Sequence, residues 1–110
     1  MKLKKPKNTD ATAWTKHSIK KMQFYNLSEN RLKRVLRNPN RKEKGIAFET
    51  LAVMQRTGTK KHPTEIWMMY QVIKLKKMRI ISAWRYPGIT PKGQEIPIPE
   101  DVLEELEKLI

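Results

Sequence analysis

Six side chains of this 110-residue sequence have the types and spacing for acid–base and phosphate chemistry: His17, Lys21, Tyr25, Arg79, Arg85 and Tyr86. His17, Lys21 and Tyr25 follow one another at intervals of four, so a helix carries all three on one face. Arg79 and Arg85 sit six apart in a run that alternates like a β-strand, which predicts one shared strand face. Cleavage of RNA without a metal needs a base for the 2′-OH, cations for the phosphorane charge and an acid for the leaving oxygen. In that scheme His17 is base or acid, Lys21 and Arg79 or Arg85 clamp phosphate, and Tyr86 or Tyr25 is an auxiliary donor. Each has a plainer alternative. His17 could be a structural histidine bonded to a strand backbone. Arg79 and Arg85 could pair with Glu65 or Glu49 across strands. His62, beside Pro63 in a basic loop, reads as a solvated loop residue.

Charge narrows the partners. Net charge is +13, unevenly placed. Residues 1–44 carry 14 Lys/Arg against 3 Asp/Glu, residues 45–94 carry 9 against 2, and residues 95–110 carry 1 against 6. A small domain this basic attracts polyanions by counterion release. RNA is the first expectation and DNA the second, with Lys20, Lys33, Arg34, Arg37, Arg41, Lys60 and Lys61 as candidate nucleic-acid contacts. An acidic protein such as an antitoxin is the alternative partner. Trp14, Trp67 and Trp84 could stack on bases, but in so small a domain tryptophans are more often core. No cysteine and no acidic cluster suited to a metal is present, and no cofactor is implied. No apolar run approaches the ~20 residues of a membrane span, and the basic N-terminus lacks a signal-like apolar region. The expected location is cytoplasmic.

The elements that must position these residues follow from periodicity. Residues 1–12 read as a flexible basic arm. A helix starting near Thr15, with Thr12 or Thr15 as cap and Trp14, Ile19, Met22 and Phe24/Tyr25 as its apolar stripe, carries His17. A second, capped by Ser28 with Leu27 as staple, buries Leu32, Val35 and Leu36 and turns Lys33, Arg34 and Arg37 outward. Arg41 to Gly45 is a short edge strand and Phe48 to Arg56 a longer one. Residues 65–73 and 78–85 form the central hairpin, turning over Lys74-Leu75-Lys76-Lys77. Its second arm is expected to show Met78, Ile80, Ser82 and Trp84 on one face and Arg79, Ile81, Ala83 and Arg85 on the other. Pro87 to Pro99 is an extended strap. A closing helix with Pro99 at its first position buries Val102, Leu103, Leu106, Leu109 and Ile110. The predicted fold is α+β: two N-terminal helices on a three- to four-stranded antiparallel sheet across residues 13–86, then the strap and helix across 87–110.

Two stretches carry a resemblance. His17, Met22, Leu27, Ser28, Val35, Leu36 and Pro39 match the opening helices of a family of short domains of unknown function, with Lys21 and Tyr25 where that pattern has arginines. Arg79-Ile80-Ile81-Ser82-Ala83-Trp84-Arg85 resembles the Arg-Ile-Ile-Ser-Ala-Arg-Arg stretch of BrnT-type toxins, with Trp84 in place of the first terminal arginine. Both groups are similar to the RelE/ParE superfamily. The resemblance covers roughly residues 14–86 and implies helices packed on an antiparallel sheet, with ribonuclease activity in many members and none in others. Three function classes follow: a metal-independent toxin-like endoribonuclease, a non-catalytic nucleic-acid-binding protein, and a protein-interaction module such as one half of a toxin–antitoxin pair. Convergence of His17 with the strand arginines in one groove would mark the first. Scattered or paired residues would mark the second.

Overall fold

The computed structural model describes residues 3–45, 47, 49–74 and 76–108. Phe48, Leu75, Leu109 and Ile110, named above, lie outside the described residues. The elements run β1 (Thr12–Trp14), α1 (Lys16–Tyr25), α2 (Glu29–Arg37), β2 (Arg41–Lys44), β3 (Thr50–Gly58), β4 (Pro63–Lys74), β5 (Lys77–Pro87) and α3 (Glu100–Glu107). The five strands form one sheet in the order β1-β5-β4-β3-β2. The α+β class and the two helices on a sheet are as expected. The sheet is larger and mixed: β1 precedes the helices and pairs parallel with β5, Thr12 opposite Met78 and Trp14 opposite Ile80. The end of the expected flexible arm is thus a strand.

The helices begin where their caps dictate. Thr15 Oγ1 accepts from Ser18 N, and Ser28 Oγ accepts from Arg31 N, each satisfying an otherwise orphaned amide. α1 ends at Asn26 in the left-handed region (φ 56°), one of the residues that tolerate it. Pro99 caps α3 rather than occupying its first turn.

Both sheet faces are buried. One carries Val53, Ile66, Met68, Tyr70, Ile80 and Ala83 beneath Met22, Leu27, Leu32 and Val35 of the helical pair. The other carries Ala52, Met54, Trp67, Met69, Ile81 and Trp84 beneath Val102 and Leu106 of α3, with Ile96 and Ile98 of the strap. The three tryptophans are core, and Trp67 stacks on its cross-strand partner Trp84 at 6.0 Å.

The expected alternation of β5 fails at one residue. Met69 pairs with Ser82 and Tyr70 with Ile80, so Ile81 is an extra, bulged residue. Ile80 and Ala83 consequently share one core while Ile81 and Trp84 share the other. Arg79, next to Ile80, and Arg85, two beyond Ala83, therefore lie on opposite faces. The shared arginine face is corrected: period-2 reading assumes an unbroken ladder.

The strap is held by a polar network in the second core. Glu65 is fully buried. Its carboxylate accepts from Thr90 N at 2.9 Å, from Thr90 Oγ1 at 2.7 Å and from Trp67 Nε1 at 3.0 Å. Thr90 Oγ1 in turn accepts from Arg41 Nη1 at 2.9 Å, and Arg41 Nη2 donates to the carbonyl of Gln94. Replacing Thr90 with Val keeps the shape but breaks this relay. The expected loss is about 1–3 kcal/mol, with faster proteolysis within residues 87–99. A melting temperature and cleavage pattern equal to wild type would show that the relay does not anchor the strap.

Candidate nucleic-acid interface and the His17 cleft

α1 brings His17 and Lys21 to α3 rather than to the strand arginines. His17 Nε2 lies 3.0 Å from Ser82 Oγ on β5, and Nδ1 lies 3.7 Å from Glu105 Oε1. Lys21 pairs with Asp101. These residues, with Lys20, Phe24, Glu104 and Lys108, line a cleft of about 310 Å³. Serine, histidine and carboxylate stand in the order of a nucleophilic relay, but Ser82 is fully buried, so the relay orients His17 and presents no serine to a substrate. Sequence reading missed Ser82 and Glu105. Their signal is tertiary, created by the packing of α1 and α3 around β5.

Burial is the largest influence on His17 and lowers its pKa. Glu105 and Asp101 push the other way, and Lys21 and Lys108 reinforce the lowering. At Asp101, burial alone would raise the pKa. The hydrogen bond and charge of Lys21, with the charge of His17 and a backbone hydrogen bond, outweigh it and hold the carboxyl below its usual range.

Of the remaining expected catalytic residues, Arg79 Nη1 donates to Gln71 Oε1 at 3.4 Å. Arg85 Nε donates to the Tyr25 carbonyl at 2.8 Å and Nη2 to that of Asn26 at 3.5 Å, placing a cation at the carboxyl end of α1. Neither contact is with Glu49 or Glu65: the near cation of Glu65 is Arg56, at 3.9 Å. Tyr86 packs against the second core. Arg79, Arg85 and Tyr86 do not line the His17 cleft.

The expected nucleic-acid contacts divide differently. Lys33, Arg34 and Arg37 are exposed on α2, and Lys20 on α1. Lys33 forms an i,i+4 pair with Glu29 at 2.8 Å. Lys60 and Lys61 are exposed in the β3–β4 loop, as is His62. Arg41 is the correction: only 6% exposed, it bonds Thr90 and Gln94 and lies 5.3 Å from the Trp67 ring centroid, so it cannot meet a phosphate.

Beside α2 the structure gathers like charges. Arg31 has its pKa lowered by burial first, then by the neighbouring guanidiniums of Arg34 and Arg85. Its Nη1 donates to Gln55 Oε1 at 2.6 Å, a neutral acceptor that fixes the guanidinium without discharging it. Lys4, Lys5 and Lys7 line a second cleft, of about 330 Å³, with Ser28, Glu29 and Asn30 at the start of the same helix.

Among the described residues there is no group of three or more His, Cys, Asp or Glu placed to hold a metal ion, and no helix long and apolar enough to cross a membrane. Comparison with protein-family models, curated proteins and solved structures finds no match to this chain.

The His17 geometry predicts a titration. An imidazole whose folded pKa lies below its unfolded value of about 6.5 resists a proton that the unfolded chain accepts. Its contribution to stability is therefore retained above pH ~6.5 and lost as pH falls through the folded pKa. The His17 ring resonances should titrate with a midpoint below 6.5, and His17→Gln should flatten stability against pH over that window. A midpoint above the ordinary value would contradict the burial argument.

Proposed function

We propose that this chain is an RNA-binding protein whose contact surface is the outer face of α2 with the lysines of residues 4–7 and Arg85 of β5. The observation that supports it most is the gathering of Arg34 and Arg85 around Arg31, whose guanidinium is disfavoured first by burial and then by those two like charges. A surface that concentrates like charge lowers its free energy when a polyanion arrives and its counterions leave. Guanidiniums suit the task, because their planar donors match phosphate oxygens two at a time. RNA rather than DNA is expected from the resemblance to the RelE/ParE superfamily, and a cytoplasmic location goes with it.

One observation favours a second reading, a metal-independent ribonuclease centred on His17. Burial keeps its imidazole in the neutral form that a general base requires, and Lys20 and Lys21 flank it. Against it, Asp101, Glu104 and Glu105 line the same cleft and repel phosphate, and Arg79 and Arg85 point elsewhere. Binding is therefore the primary reading. Cleavage of RNA in EDTA, abolished by His17→Ala with binding retained, would reverse that order.

For the binding reading, affinity for RNA should fall steeply with salt, by a slope of about 0.7–0.9 for each phosphate neutralised. Arg34→Ala and Arg37→Ala should each reduce that slope by about 1 with little change in stability, since both side chains are exposed. Duplex DNA and single-stranded DNA of matched length serve as competitors. Absence of RNA binding at low salt, or an unchanged slope in the double variant, would refute the proposed surface.

A further inference from the structure

Among the described residues, one large ring is left outside. Phe24 is 75% exposed, while Trp14, Trp67, Trp84 and Tyr70 are buried and Tyr25 and Tyr86 are partly covered. Two side chains flank the Phe24 ring. The Tyr25 ring meets it edge-on at 4.8 Å, and the Lys21 ammonium, itself held by Asp101, lies 5.3 Å from its centroid. Lys16, Lys20 and Phe24 follow at intervals of four, so two exposed ammoniums and one exposed ring form a line along a single stripe of α1.

We infer that Phe24 is a stacking platform for an unpaired base of single-stranded RNA, with Lys16, outside the acidic cleft, alongside the adjoining backbone phosphate. The inference rests on the RNA-binding reading and adds to it a strand preference and a second contact point, on α1. Among the described residues, the other large exposed apolar side chains, Ile89 and Val72, do not line the cleft that Phe24 rims. Among the described residues the exposed apolar surface here is one ring, far too small to dock a protein but matched to one base. A base in a duplex is stacked on both faces and cannot reach it, so the contact selects single strands. The carboxylates of the cleft repel phosphate but not a neutral base, so the adjoining backbone is directed away from them toward Lys16, which does not line the cleft.

The experiment compares wild type, Phe24→Ala, Phe24→Trp and Arg34→Ala/Arg37→Ala against a fluorescently labelled single-stranded RNA and a blunt-ended RNA duplex of the same charge. Stability is checked by thermal melting. Phe24→Ala should bind the single strand about 5- to 100-fold more weakly and the duplex unchanged. Phe24→Trp should keep single-strand affinity. It adds one exposed indole to three buried ones, whose emission should be quenched by the single strand and not by the duplex. The arginine variant should weaken both. If wild type binds RNA and Phe24→Ala binds both forms equally well, or loses both equally, the stacking inference is overturned and the RNA reading stands. If Phe24→Ala changes only self-association, measured by sedimentation, the ring is a protein contact and the inference is likewise overturned. If wild type binds neither RNA, the RNA reading itself fails and takes this with it.

Discussion

A buried carboxylate is the constraint around which the second half of this fold is arranged. Glu65 sits with no exposed surface on a central strand, where an unsatisfied charge would be prohibitively costly. Its oxygens must be met, and Thr90, Trp67 and the outlying Arg56 meet them. Meeting them fixes the strap over the sheet and orients the indole that stacks on Trp84. It also draws Arg41 of the edge strand inward through the Thr90 hydroxyl. Removing a single member of such a group leaves the rest unpaired, so the contribution of the network cannot be divided among its bonds.

The same arrangement distributes the charge. A chain with 24 Lys/Arg and 11 Asp/Glu cannot neutralise itself. The fold gives five of its eleven carboxylates to contacts within the chain: Glu65 to the strap, Asp101 to Lys21, Glu105 to His17 and Lys108, Glu29 to Lys33 and Glu43 to Arg41. The α3 carboxylates meet His17 and Lys21 of α1, while Arg31 and Arg34 of α2 are left beside Arg85 of β5.

Much of the architecture was legible in the amino-acid pattern. Thr15 and Ser28 act as caps because their hydroxyls have the right amides three residues on, a local fact that sequence carries. The central hairpin and the closing helix followed from periodicity for the same reason. What could not be read was non-local. β1 is three residues long, too short for any period, and Trp14 suits a helix stripe as well as a strand. Arg41 has the composition of a protected edge, and only the distant Thr90 reveals that it turns inward. The bulge at Ile81 has no local mark and displaces every inference that counts along the strand beyond it. The His17 cleft was half legible: His17 and Lys21 share a face as their spacing requires, but their partners come from a strand and a helix more than sixty residues away.

The bulge has an evolutionary and engineering consequence. A β-strand keeps time by twos, and Ile81 is an added beat that puts the two halves of β5 out of phase. Loss of that one residue would force one half to turn over: either Ile80 and Met78 would exchange sides with Arg79, or Trp84 would leave its stacked partner and Arg85 the end of α1. Point substitutions can drift at this position provided the side chain stays apolar, but the length of the strand cannot. Insertions and deletions between 79 and 85 should accordingly be far rarer among functional variants than substitutions there, and length, not identity, becomes the quantity a library through this strand must hold constant.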